Sequence, residues 1–179
     1  MSRSGAVARA VWLLLSLLVA PLAGAAAREG ATPLEASLRR LDGTSEKLSE
    51  WRGRRLLLEL WASWCEPCRE QAEIVRALSG ELARLGVETI AVNVGESRKT
   101  VEKFLADHPP HSRVLLDRGQ LVATRLDLGA LPALVLVRED GTVAATREEL
   151  VRREELAELL QTAFGATAEP PAGSPPNGD

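Results

Sequence analysis

The spacing of apolar positions marks out most of the chain before any chemistry is considered. "RLLLELW", residues 55–61, is an almost unbroken apolar run of strand length, the pattern of a central strand covered on both faces. The period then changes. Ile74, Leu78, Leu82 and Leu85 recur at three- and four-residue spacing, which predicts one amphipathic helix from Pro67 to a stop at Gly86. Proline is tolerated in the first turn of such a helix. "VETIAVNV" (87–94) predicts the next strand. "ESRKTVEKFLADH" (96–108) predicts a helix with Val101, Phe104 and Leu105 inward, ended by Pro109-Pro110. "RVLLD" (113–117) reads as a short strand and "GQLVATRLDLG" (119–129) as a short helix or turn. Pro132 opens the strand "PALVLVRED", at a position where a strand accepts proline. Asp140-Gly141 turns the chain into "TVAATRE", so these two strands form an antiparallel hairpin. "RREELAELLQTAF" (152–164) is an amphipathic helix whose mixed charges suit a solvated face.

Upstream, "SLRRLDGTSEKLS" (37–49) places Asp42-Gly43 between two short alternating runs, a second hairpin signal, and "SEWRGR" reads as a helical turn. The order of elements predicts an α/β fold: a central mixed β-sheet flanked by helices on both faces, with an N-terminal β-hairpin. The two ends read differently. Arg3 and Arg9 precede "AVWLLLSLLVAPLAG" and then "AGAAA", the layout of a secretory signal with cleavage after Ala27 or Ala25. The apolar run is short for a membrane span, so an uncleaved N-terminal anchor is the alternative. No Cys near the cleavage site offers a lipid anchor. "GATAEPPAGSPPNGD" is Pro/Gly-rich, the composition of a disordered tail. The expected organisation is therefore residues 1–27 signal peptide or anchor, 28–165 one domain, and 166–179 tail.

Composition narrows the function. The 179 residues are 45% hydrophobic, enough for a real core. A net charge of −3, no Tyr and 3% aromatics give a nucleic-acid partner neither an electrostatic footprint nor a stacking platform. Membrane contact is expected through an uncleaved N-terminal segment if at all, and a monomer is expected. The only two cysteines, Cys65 and Cys68, form one Cys-x-x-C. In an exported chain such a pair is a disulfide candidate first and a metal site second. It falls where a central strand hands over to a helix, the end of an open α/β sheet where sites form. The positive end of the helix stabilises a thiolate there. Cys65, the more exposed of the two, can attack a substrate disulfide, and Cys68, one turn in, can resolve the mixed disulfide. Glu66 beside Cys65 should oppose thiolate formation and bias the pair toward the reducing side. A structural staple is a poor alternative, because so short a loop restrains little chain.

"LWASWCEPCRE" resembles the thioredoxin superfamily, and most closely its exported TlpA/ResA-like branch with Trp-Cys-x-Pro-Cys at the site. The resemblance runs from about Leu38 to Phe164 and includes "LDGTSEKLSEWRG", "AVNVGES" and "GALPALVLVREDG". It implies a thioredoxin-like fold with an inserted helix. Cys65 then resembles the attacking thiol and Cys68 the resolving thiol of a redox-active disulfide. Pro132 resembles the cis-proline that lies against the disulfide, preceded by Leu131, which offers backbone to an extended substrate. Trp64, Glu66 and Pro67 are expected at the substrate rim, and Trp61 in the core. The branch reduces disulfides of extracytoplasmic proteins, often in cytochrome c maturation, with electrons from a membrane thiol carrier. No cofactor beyond the cysteine pair and no metal are expected.

Glu59 breaks the apolar run six residues before Cys65, at a position that resembles the buried aspartate of thioredoxins. Burying an unpaired carboxylate disfavours its charged form, which suits a group that accepts the proton of Cys68. The alternative is a solvated acid or a partner of Arg54 or Arg55. The chain also departs from the branch. Gln71 and Glu73 stand where it often has Glu and Pro, and Ala133 stands where it usually has Thr. A peroxidase would need Thr at Ala62. A copper site of related fold would need a wider Cys spacing and a His, and His108 and His111 in "DHPPHS" read as solvated loop residues. A weak metal-binding module and a non-catalytic interaction module remain as alternatives of other classes.

Overall fold

The computed structural model describes residues 32–165, so the expected signal peptide or anchor and the expected tail lie outside the described residues. After a 3-10 turn at Pro33–Glu35, β1 (Ser37–Arg40) and β2 (Ser45–Lys47) form the expected hairpin, and a second 3-10 turn covers Leu48–Trp51. Then follow β3 (Arg55–Trp61), α1 (Glu66–Ala77), α2 (Ser79–Arg84), β4 (Val87–Val94), α3 (Arg98–Asp107) and β5 (Arg113–Asp117). The domain closes with α4 (Leu121–Arg125), β6 (Ala133–Val137), β7 (Val143–Arg147) and α5 (Arg153–Phe164). The seven strands make one sheet in the order β2-β1-β5-β4-β3-β6-β7. β3, β4 and β5 run parallel, and the outer pairs are antiparallel. This is the mixed sheet expected of the α/β, thioredoxin-like fold.

Central position explains the composition of β3. It pairs with β4 on one side and β6 on the other, and six of its seven residues are buried. Because side chains alternate across a strand, Leu56, Leu58 and Leu60 pack on one face with α4, the N-terminal turns and Trp51. Leu57 faces the opposite side, under α1, α2 and α5, where Val75, Leu82, Leu156, Leu160 and Phe164 meet it. Toward the C-terminal end of the strands the same side holds Trp61, Ala91, Val114 and the inserted α3 through Val101. Among the described residues helices cover both faces, but unequally, since on one face the α-helical cover is the short α4.

Two local expectations change. The helix predicted over 67–86 is two helices, broken at Leu78 (φ −96°, ψ 8°). Ser79 and Gly80, poor helix formers, follow at once, and the apolar period survives the break because Leu78 and Leu82 stay buried. Gln71, where the branch often has Glu, is fully buried, and its Oε1 accepts from Val151 N at 2.8 Å. A neutral amide serves here, joining α1 to the lead-in of α5.

Candidate active site

Cys65 and Cys68 are joined by a disulfide at the turn from β3 into α1, with Cα atoms 5.3 Å apart. Cys65 is the N-cap of α1 in extended backbone geometry, and its N–H donates to Ala62 O at 3.1 Å. Pro67, one position further than Glu66, lies in the first turn, where its missing N–H leaves no helix bond unmade. The expectation that Cys65 is the more exposed sulfur does not hold in this disulfide form. Both cysteines are 3% exposed, because the bonded sulfurs shield each other within a cluster that includes Trp61, Ala62 and Leu131. The rim is Trp64, 71% exposed, with Glu66 and Pro67 also exposed. Trp61 is buried and packs on Phe104, ring centroids 5.3 Å apart. Glu66 pairs with Arg69 one turn on, an exposed ion pair next to Cys65.

Leu131-Pro132 is a cis peptide bond, directly before β6, and Pro132 and Ala133 are buried. Leu131 packs against the cysteine cluster. The loop before it is held from the far end of β7, where Glu148 accepts from the backbone N–H groups of Gly129 and Ala130 at 2.6 and 3.1 Å.

Glu59 is 2% exposed, on the α1 face of the sheet, beside Ala91 of β4 and Leu134 of β6. Neither arginine suggested as its partner reaches it. Arg54 pairs with Glu88 and Arg55 with Glu139, since the two arginines lie at the opposite end of β3. The group that faces Glu59 is His111, Nε2 to Oε2 3.3 Å. Solvated loop histidines were expected. His108 is exposed, stacked on Phe104 with ring centroids 4.4 Å apart, but His111 is turned inward and only 17% exposed. The correction comes from chain path: the Pro-Pro loop must return to the sheet at β5, and His111 is the residue that crosses its end. Glu59, Cys68, Phe104 and His111 line one cavity of about 260 Å³.

A second, partly buried network escaped the sequence reading. Glu96, after β4, accepts from Ser63 N (2.7 Å), Ser63 Oγ (2.5 Å) and Asn93 Nδ2 (2.7 Å). Partial burial pushes the Glu96 carboxyl up, but the bonds from Asn93 and Ser63 outweigh it and hold the group below its usual range. The carboxylate thus ties down the loop two residues before Cys65. The available signal was Asn93, a fully buried polar residue within the apolar second half of β4, the same kind of break that marked Glu59. Among the described residues no cluster of metal-ligating side chains forms.

Comparison with known proteins places this arrangement. A family model described as Redoxin matches residues 24–161. The thiol-disulfide oxidoreductase ResA of Halalkalibacterium halodurans is 31% identical over 140 residues, covering 75% of this chain and 78% of that one. ResA of Geobacillus kaustophilus is 30% identical over 133 residues, covering 74% and 76%. Among solved structures, one from Chlorobium tepidum described as a thiol:disulfide interchange protein DsbE superposes with a TM-score of 0.68 at 24% identity, covering 76% of this chain and 98% of that one. StoA from Bacillus subtilis gives 0.60 at 20% identity, covering 72% and 98%. These two likenesses concern the fold.

Proposed function

The chain belongs to the Redoxin family and is a thiol–disulfide oxidoreductase, and on that premise we propose that it works outside the cytosol as a reductant of protein disulfides. The observation that carries this reading is the Cys65–Cys68 disulfide at the N-terminus of a 12-residue helix. The helix end stabilises the Cys65 thiolate once the pair is reduced. That thiolate attacks a substrate disulfide, forming a Cys65–substrate disulfide and releasing one substrate thiolate. Cys68 then attacks Cys65, the Cys65–Cys68 bond re-forms, and the second substrate thiolate leaves. The substrate loses one disulfide and the enzyme gains one.

Glu59 is the proposed acceptor for the Cys68 proton in that second step, a role supported by its burial and by the cavity it shares with Cys68. Leu131 and Pro132, with Trp64, Glu66 and Pro67, form the proposed substrate-facing rim. The basic-then-apolar start of the chain supports export. The likeness of its motifs to the TlpA/ResA-like branch supports a membrane thiol carrier as donor and cytochrome c maturation as the setting. Two measurements test the reading. Equilibration of the pair with dithiothreitol or glutathione should give a reducing potential, and a value at the strongly oxidising end rejects the reductant role. In a disulfide-reduction assay Cys65→Ser should abolish turnover, while Cys68→Ser should accumulate the Cys65–substrate disulfide; equal trapping by both variants contradicts the assigned order.

A further inference from the structure

We propose that His111 is the positioning residue and proton outlet for Glu59, an inference that rests on the reading of Glu59 as acceptor of the Cys68 proton. Four observations meet at this pair. First, His111 Nε2 and Glu59 Oε2 are 3.3 Å apart. Second, both atoms are buried and neither has a well-aligned hydrogen bond to any other group. The distance is that of an ion pair although the alignment is not that of a hydrogen bond, so a small rotation of either side chain makes or breaks it. Third, the sheet gives Glu59 no polar neighbour in its own row. Its row-mates are Ala91, Val114 beyond it, and Leu134 on the other side, none of which can bond a carboxylate. The short Ala91 side chain leaves space above the sheet, and His111, two residues before β5, enters it. Fourth, Glu59 and His111 line the same cavity as Cys68, and that cavity reaches the surface at the exposed Arg69 and Asp107.

The chemistry follows from this placement. A buried carboxylate that has taken a proton must lose it before the next cycle, and Glu59 is only 2% exposed. When Cys68 attacks Cys65 in the mixed disulfide, the bond to the substrate sulfur breaks and the substrate leaves as thiolate. The Cys68 proton passes across the cavity to Glu59. Glu59 gives it to His111 Nε2, the imidazolium releases a proton from its other nitrogen toward the cavity mouth, and a ring turn or proton exchange with water restores the tautomer with Nε2 unprotonated. The charged and titratable groups around that mouth are Arg69, Glu73 and Arg76 of α1, with Asp107 and His108 at the end of α3. Glu73 and Arg76 already pair with each other. Glu59 and His111 face each other at its inner end.

The test uses the full chain in single-turnover resolution of a preformed Cys65–substrate disulfide, followed by thiol release from pH 5 to 9. Glu59→Gln, His111→Gln, the double variant and His108→Gln are compared. His111→Gln should slow resolution about tenfold, less than the roughly 10²–10⁴-fold of a group that itself takes the reacting proton, because His111 acts through Glu59, and it should change the shape of the pH profile. In the Glu59→Gln background it should add less than about twofold, because an outlet has no use without its acceptor. His108→Gln should leave the profile unchanged. If Glu59→Gln alters the profile but His111→Gln overlays wild type, the inference fails and the Glu59 reading stands. A Glu59→Gln profile identical to wild type rejects both. Equal slowing by His111→Gln in both backgrounds marks a merely structural residue and also overturns the inference. An independent readout needs no change at His111: its imidazole 15N chemical shifts at fixed pH should move on Glu59→Gln, and unmoved shifts count against the pair.

Discussion

Replacing Glu96 by Ala removes the carboxylate on which three hydrogen bonds from Ser63 and Asn93 converge. The wild-type contacts are to a charged acceptor, worth about 1.5–3 kcal/mol each in favourable settings. Glu96 is only partly buried, and water can take over part of what Ser63 loses, so the three do not add. The larger loss lies at Asn93. Asn93 is fully buried, and its Oδ1 already has no partner among the described residues. Without Glu96 its Nδ2 is stranded as well, at about 1–3 kcal/mol. The expected net loss is about 3 kcal/mol for Glu96→Ala. For Glu96→Gln it is about 1 kcal/mol, because the amide oxygen can still accept from Ser63 N and Asn93 Nδ2 while its NH2 donates to Ser63 Oγ. In urea at pH 7 both variants should show lower midpoints with an unchanged slope. The pH dependence has a definite sign. A carboxylate held below its ordinary value of 4.5 contributes fully above that value and loses its contribution as pH falls through the folded value. The gap between wild type and Glu96→Ala should therefore be widest near neutrality and narrow below pH 4.5. A gap under about 0.5 kcal/mol, or one that stays constant down through the carboxylate range, refutes the reasoning.

Other positions give simpler outcomes. Gln71→Leu removes the acceptor of Val151 N from a fully buried site, so urea denaturation should show a loss of about 1–3 kcal/mol. No loss would mean the backbone N–H finds another acceptor. Gly141 has φ +90°, and an added Cβ would lie 2.9 Å from Leu34 Cδ1. Gly141→Ala should cost about 1–2 kcal/mol in thermal unfolding, whereas stabilisation would show that the β6–β7 turn can shift freely.

Much of the molecule is decided locally and so could be read from the chain. The run at 55–61 is apolar on both sides of its pleat, which only a central strand requires, and β3 is that strand. Asp42-Gly43 and Asp140-Gly141 carry their turn chemistry with them, and both hairpins form. The cysteine spacing and Pro67 place the redox pair on the first turn of a helix without reference to any distant residue. The break at Leu78 was less legible, because the apolar period continues across it.

Which groups surround Glu59 was beyond the sequence. A carboxylate in a buried strand announces that it needs an environment, but the environment is supplied by residues far along the chain. His111 arrives 52 positions later because the inserted helix and its Pro-Pro loop return to the sheet across the row that Ala91 leaves open. Glu96 reaches Ser63 for the same kind of reason: parallel β3 and β4 end side by side, so the loops after them meet. Hydrophobic period and turn chemistry are properties of neighbours in sequence, and they determined the elements and the position of the cysteines. Partners of buried charges are fixed by strand order and loop path, and only the tertiary structure decided those.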